Sequence, residues 1–288
     1  MIDVAIIGAG RLGASLGYAL RTKGYKIKAF SCRKMSSARS SEKIIGGGQP
    51  STDTVDTARQ GKLVFLCLPD KAIEPVSRYL YQSTLDWSKK YVFHTSGLLS
   101  SSLLRTLKRK GAFTASFHPI QSFAQKTADL KQFEGIYYGL EGCPEALLLA
   151  QKIVRHLGGH ALLIKPKDKP LYHAACSMAS NLFVVLVETA SSLLKKTGLE
   201  EDPSRILFPL VQGTLHNVKK LDISAALTGP VVRGDRASIE RHLRALRAFP
   251  NHRRIYTTLA SQALAIVKKD RRLSTEDIKA LKTLLEEK

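Results

Sequence analysis

The residues best suited to acid–base chemistry in this 288-residue chain stand just after short apolar runs. His118, in Ser116-Phe117-His118-Pro119-Ile120-Gln121-Ser122-Phe123, leaves the end of a predicted strand, and the proline after it fixes the turn. An imidazole there can give or take a proton at a substrate oxygen near neutral pH. Thr95-Ser96-Gly97 follows the previous run, and its hydroxyls can touch a cofactor ring or a substrate carbonyl, although the same residues also suit a simple turn. His173, Ser177 and Asn181 are spaced by four, which lines them along one face of a helix. The histidine could act as an acid, the asparagine could hold a carboxylate or amide, and Ser177 sits between them. Arg233, in Leu227-Thr228-Gly229-Pro230-Val231-Val232-Arg233-Gly234-Asp235, is available for an anion, while Asp235 suits the cap of the next helix.

These groups need a scaffold, and the N-terminal segment indicates which one. Val4-Ala5-Ile6-Ile7 is followed at once by Gly8-Ala9-Gly10-Arg11-Leu12-Gly13, a G-x-G-x-x-G turn between a strand and a helix. In that order the first glycine permits a tight turn, the second lets backbone approach a pyrophosphate, and the third lets helix pack on strand. The N–H groups opening the helix, Arg11 and Leu12 among them, then face the anion. Lys26 to Phe30 reads as the next strand, and its end is where a ribose reader is expected. Instead of a carboxylate the chain has Ser31-Cys32-Arg33-Lys34. A 2′-phosphate favours cations and donors and repels a carboxylate, so NADP is expected rather than NAD.

Further strands are predicted at Leu63 to Leu68, closing with Leu68-Pro69-Asp70, and at Tyr91 to His94, Ala112 to Phe117, Gly135 to Leu140 and His160 to Ile164. Helices fit between them, so the expected fold is α/β: a Rossmann-type, doubly wound, mostly parallel sheet. Strand ends at Gly8, Ser31, Pro69, Thr95 and His118 would share one crevice. The proline-punctuated Lys165 to Pro170 marks a boundary, giving a dinucleotide-binding domain over residues 1–166 and an all-helical substrate and dimerisation domain over residues 167–288. A long helix is predicted from about Leu171 to Lys196, with Leu171, Ala174, Met178, Leu182 and Val185 on an apolar face. Others follow over Pro203 to Lys219, Asp235 to Phe249, Pro250 to Lys268 and Ser274 to Glu287.

The cysteines at 32, 67, 143 and 176 are scattered and form no C-x-x-C, which fits free thiols in a reducing cytoplasm and no bound metal. The first strand begins at residue 2, which leaves no room for a signal peptide, and the longest apolar region, Leu182 to Leu194, is too short to cross a bilayer. A formal net charge of +21 raises the possibility of a nucleic-acid partner. The basic residues from Arg233 to Arg272, however, are interleaved with apolar ones at helical spacing and lack an aromatic platform. A solvated basic face, or one that steers anionic small molecules, is the better expectation.

The motifs together resemble the 6-phosphogluconate dehydrogenase-like superfamily, and most closely its NADP oxidoreductases built from Rossmann-like and DUF2520 domains. The glycine motif, Leu68-Pro69-Asp70, His94-Thr95-Ser96-Gly97, the segment from Phe117 to Phe123, Tyr172-His173-Ala174-Ala175 through Asn181, and Leu227 through Asp235 carry the resemblance in order along nearly the whole chain. It implies a homodimer joined through the C-terminal helices. In prephenate dehydrogenases of the superfamily, a histidine before proline meets a substrate hydroxyl and a serine follows the previous strand, which matches His118 and Ser96. The 3-hydroxyacid dehydrogenases carry a lysine four residues before an asparagine on the long helix; here that position is Ser177. Ketopantoate reduction is known among relatives of this branch.

The expected activity is therefore hydride transfer between NADPH and a small, carboxylate-bearing carbonyl or imine compound. Gly8, Gly10 and Gly13 would hold pyrophosphate, and Ser31, Arg33 and Lys34 the 2′-phosphate. Leu68, Pro69 and Thr95 would line the cofactor. His118 would supply a proton with help from Ser96, while Asn181, His173, Ser177 and Arg233 would hold substrate. A non-catalytic NADP(H)-binding sensor and a basic nucleic-acid-binding protein are the alternatives.

Overall fold

The structure, a computed structural model, describes residues 2–286. Strands and helices alternate first: β1 (Asp3–Ile7), α1 (Arg11–Thr22), β2 (Lys26–Ser31), α2 (Met35–Ile45), β3 (Gln49–Ser51), α3 (Thr54–Gln60), β4 (Leu63–Leu66), α4 (Asp70–Gln82), β5 (Tyr91–His94), α5 (Arg105–Arg109), β6 (Phe113–Pro119), β7 (Tyr137–Gly142), α6 (Pro144–His156), β8 (His160–Leu163) and α7 (Lys169–Ala179). The eight strands form one sheet in the order β3-β2-β1-β4-β5-β6-β7-β8. Every neighbouring pair is parallel except β6 with β7. Strand order reverses at β1, and the carboxyl ends of β1 and β4 flank the point where open α/β sheets of this kind bind ligands.

The central strands read as unbroken apolar runs because both of their faces are covered. Along β1, Val4 and Ile6 join a core with Leu16, Leu20 and Phe30, whereas Ala5 and Ile7 join the opposite core with Ile73, Leu80 and Trp87. Phe65 meets Phe93 and Phe117 edge to face, and Phe93 and Phe117 stack nearly parallel, across three neighbouring strands.

Two local differences from the sequence expectation matter to the site. The predicted strand end at Phe117 is extended, because His118 and Pro119 pair with Gly139 and Tyr138 of antiparallel β7. Proline is tolerated there because β5 pairs with β6 only as far as Ser116, so no ladder bond is lost on that side. β3, only Gln49-Pro50-Ser51, was not anticipated, since it carries no apolar run.

The chain divides into two compact units, Met1–Ser180 and Asn181–Lys288. The first unit includes α7, whose Lys169 and Tyr172 hydrogen-bond to Ser96, Ser116 and His118. The long helix expected from Leu171 to Lys196 is broken: Ser180 has φ −125° and ψ −76°, and a new helix begins at Asn181. Serine and asparagine side chains compete for local backbone partners, which makes the pair a natural interruption. The apolar region from Leu182 to Leu194 lies within a longer helical stretch. Pro166–Lys195 is a 30-residue helical stretch of mean hydropathy 1.4 in its most apolar window, long and apolar enough to cross a membrane by length and composition. Its two helices, 11 and 15 residues, each fall short of the roughly 20 needed to span.

The second unit is helical: α8 (Asn181–Lys195), α9 (Pro203–Lys220), α10 (Ile223–Ala226), α11 (Pro230–Arg233), α12 (Arg236–Ala245), α13 (Pro250–Lys269) and α14 (Thr275–Glu286). Its core gathers Val231, Ile239, Leu243, Ala260, Leu264, Leu281 and Leu285. The last predicted helix ends at Glu287, which lies outside the described residues. The apolar side chains of α8 and α9 are left uncovered, Val184 at 66% exposure and Leu210 at 67%.

Candidate active site

The glycine turn is built as an open cradle. Gly8 adopts φ +92°, and its N–H and that of Ala9 both donate to the Ser31 carbonyl. A Cβ at Gly8 would stand 2.4 Å from the Cys67 carbonyl oxygen, and one at Gly13 would stand 2.3 Å from the Gly8 carbonyl oxygen. At Gly10, by contrast, a Cβ would meet nothing within 4 Å. Gly10 caps α1 without a side-chain hydrogen bond, and no acidic residue occupies the first turn. The N–H groups of Arg11 and Leu12 therefore present a positive helix end to open space, the geometry that takes a phosphate. Leu68 reaches over Gly8, and Pro69 begins α4 beside it.

The end of β2 offers cations. Ser31 itself is buried, and its carbonyl serves the glycine turn. Arg33 and Lys34 are exposed on the turn into α2. Lys34 caps α2 without a side-chain bond, and the first turn again lacks an acid. A cavity of about 490 Å³ beside this turn is lined by Met35, Ser36, Arg39, Ser40 and Lys43. Lys126, from the loop between β6 and β7, reaches across to donate to Ser41 Oγ at 2.9 Å. Sequence reasoning stopped at Lys34; the i, i+4 spacing of Arg39 and Lys43 was the available signal for the rest.

The second centre lies at the ends of β5 and β6. His118 Nδ1 is 2.7 Å from the Tyr172 hydroxyl. Its ring centroid is 5.9 Å from that of His173. Two glycines make room for this group. A Cβ at Gly97 would come within 2.7 Å of both His118 Cε1 and His173 Cδ2. A Cβ at Gly139, the cross-strand neighbour of His118, would come within 2.3 Å of the Tyr172 oxygen. Burial, reinforced by His173 and Lys169, holds the His118 imidazole down to about 4. Burial pushes the Tyr172 phenol up, and its hydrogen bond to Cys176 adds to that. At neutral pH the pair is thus an uncharged imidazole beside a protonated phenol. A neutral ring can accept a proton, or donate through its single N–H. Among the described residues, Nε2 of His118 has no hydrogen-bond partner.

Ser96 is buried, and its hydroxyl oxygen accepts the N–H groups of Leu98 and Leu99 at 3.2 and 3.0 Å. That shapes the turn and leaves the hydroxyl hydrogen free to donate. The Ser96 carbonyl accepts from Ser116 Oγ at 2.9 Å and Lys169 Nζ at 3.4 Å. Thr95 is buried beside Cys67, whose thiol burial pushes up to about 12. His94 is buried, and its Nδ1 accepts the Ser96 N–H, so it belongs to the strand framework.

The structure brings together Ser96, His118 and His173, and adds Tyr172 and Lys169, which the sequence alone did not single out. The stripe expected from His173 through Ser177 to Asn181 does not persist, because the helix breaks at Ser180. Ser177 stays on α7, whereas Asn181 is the first residue of α8 in the second unit. Arg233 ends α11, exposed, in the second unit. Asp235 caps α12 by accepting the Ser238 N–H at 3.0 Å, as its sequence context suggested.

Family models match both halves of the chain: a Rossmann-like domain over residues 1–119 and a domain of unknown function, DUF2520, over residues 136–263. The chain thus carries a Rossmann-like domain followed by a DUF2520 domain, an arrangement consistent with the 6-phosphogluconate dehydrogenase-like superfamily. No curated protein matches the sequence. Among solved structures it is similar to a Thermotoga maritima protein at 28% identity and TM-score 0.74, over 93% of this chain and 99% of the other. It is similar to a Bacteroides fragilis protein assigned as an NADP oxidoreductase at 24% identity and TM-score 0.75, over 91% and 97%. It also shares its fold with a reductive aminase of Aspergillus terreus solved with NADPH and ethyl-5-oxohexanoate, at 16% identity and TM-score 0.62, over 99% and 93%.

Proposed function

We propose that the protein is an NADP(H)-dependent oxidoreductase acting on a small, carboxylate-bearing carbonyl or imine compound. The observation that carries this reading is the pairing of two features on one edge of one sheet. The open glycine cradle follows β1, and the His118–Tyr172 pair lies at the end of β6. β1 and β6 are three strands apart in the sheet, about 15 Å at the usual spacing. A dinucleotide seated on the cradle can extend along the strand ends toward the imidazole.

The residues present fit NADP(H). Gly8, Gly10 and Gly13 with the Arg11 and Leu12 N–H groups would hold the pyrophosphate. Arg33 and Lys34, with Ser36 and Arg39 on the next turn, would hold the 2′-phosphate, where no carboxylate competes. The bound cofactor supplies the hydride. His118 Nε2 would meet the substrate oxygen or nitrogen, and Tyr172 would fix the ring and its tautomer from Nδ1. Ser96 would donate its hydroxyl hydrogen, and His173 would close the opposite side. Asn181, Ser177 and Arg233 are the proposed substrate contacts.

A second copy of the chain completes the assembly in this proposal. Phe208, at 59% exposure, and the uncovered Leu210, Leu215 and Val218 on α9 are too many apolar groups to leave in water. Pairing like faces about a twofold axis would cover them. The test of function is NADPH oxidation with a panel of 2-oxo acids and cyclic imines. Wild type turns over at least one and H118N does not; equal rates for both proteins would remove the imidazole from the reaction.

A further inference from the structure

Lys169 is fully buried, yet among the described residues no carboxylate lies within salt-bridge distance of it. Its Nζ donates to Ser116 Oγ at 2.8 Å and to the Ser96 carbonyl at 3.4 Å. The next residue after Ser96 is Gly97, against which both His118 and His173 pack. A buried cation without an ion pair is costly, and a well-packed apolar replacement is commonly neutral or stabilising. Ser116 Oγ also donates directly to the Ser96 carbonyl at 2.9 Å, so the turn keeps its tie to β6 without the lysine. Holding the fold together therefore does not account for this ammonium.

We propose that Lys169 is a positioning residue for the oxidoreductase site: held by Ser116 and Ser96, it sets a fixed positive charge at the turn against which His118 and His173 pack. The inference rests on the functional reading above for its purpose, but not for its geometry. The charge disfavours an imidazolium at His118 and favours negative charge on a substrate carboxylate or on a carbonyl oxygen receiving hydride. The ionisable groups facing the centre come from every element around it. His94 is on β5, His118 on β6, Glu141 on β7, Asp70 at the start of α4, and Tyr172 and His173 on α7. Glu141 is the larger of the two carboxylate influences on Lys169, Asp70 the smaller. Burial lowers Lys169 from its ordinary value, while these two acids oppose the shift. Glu141 is fixed in place, accepting the Ser101 N–H and hydroxyl at 2.6 and 2.7 Å.

The test is an NMR titration of the histidine rings in wild type, K169M and E141Q, followed by the pH profile of kcat/KM. K169M removes the charge while keeping the bulk. Its His118 midpoint should rise by about one pH unit, with the acid limb of kcat/KM rising in step, and its melting temperature unchanged or higher. KM for a carboxylate substrate should rise while the dissociation constant for NADPH stays within twofold. E141Q leaves the ammonium less compensated, so its His118 midpoint should fall. That variant stands even where K169M does not fold. An unmoved His118 midpoint in the folded variants, or a K169M that loses stability while keeping its pH profile, overturns the proposal. The ring titration needs no cofactor, so a protein that binds no NADPH would sink the functional reading and leave this inference to its own result.

Discussion

Replacing Gly97 with alanine separates the imidazole centre from the rest of the molecule. Gly97 does not occupy the left-handed region, so alanine adds no backbone strain. Loss of glycine freedom in the unfolded chain favours the variant by about 0.4–1 kcal/mol. The new Cβ, however, would stand 2.7 Å from His118 Cε1 and 2.7 Å from His173 Cδ2, where ordinary contact begins at 3.4 Å. Both rings can yield, being side-chain ends, and each must retreat by about 0.7 Å. A retreat directly away from the Tyr172 hydroxyl would stretch the 2.7 Å bond at His118 Nδ1 to about 3.4 Å, beyond good hydrogen-bond geometry. A misplacement of about 1 Å costs on the order of 100-fold in rate, equivalent to about 2.7 kcal/mol. Steady-state kinetics at saturating NADPH should therefore show kcat/KM down by about 100-fold. Calorimetry should show NADPH affinity, and a thermal scan the melting temperature, close to wild type. A G97A enzyme with wild-type kcat/KM would refute the packing argument and, with it, the place of His118 and His173 in the reaction.

Other substitutions and conditions probe the remaining parts. H118N should lower kcat by about 100- to 10,000-fold, the range for removing a positioned acid or base, with NADPH affinity unchanged. Reversing both cations in R33E/K34E should weaken NADPH by about 10-fold or more for each phosphate-binding side chain removed and leave NADH nearly unaffected, as read by fluorescence titration. Burial holds His94 and His118 each to about 4 when folded. Their ordinary value is about 6.5, so the unfolded chain binds more protons between those limits and stability rises with pH across that window. Melting temperature should accordingly be at its plateau above about pH 6.5 and fall steadily toward pH 4.5; a flat profile contradicts the neutral imidazoles. Light scattering should give twice the chain mass for wild type and the single-chain mass for L210E/V218E.

The parallel strands were legible because burial on both faces writes them as unbroken apolar runs, as at Leu63 to Leu66. The glycine cradle was legible because Gly8 and Gly13 are dictated by backbone approaches closer than any side chain allows. β3 was not legible, since a short edge strand with a proline needs no apolar pattern. His118 could be found by its position, but not its charge state, which depends on burial and on His173 and Lys169, more than 50 residues further along. Tyr172 escaped for the same reason: its partner is 54 residues away and no local spacing reveals it. Lys169 precedes His173 by four, so extending the polar stripe backward along the helix was the signal. The stripe was followed forward instead, across Ser180, where the helix breaks.

The central claim is that the front of this chain grips a phosphorylated nicotinamide dinucleotide. Isothermal calorimetry of the purified protein with NADPH and NADH, at one salt concentration, tests it without needing the substrate. Saturable one-site binding of NADPH, tighter than NADH by about 10-fold or more, is the predicted result. No heat from either nucleotide, or tighter binding of NADH, would contradict it.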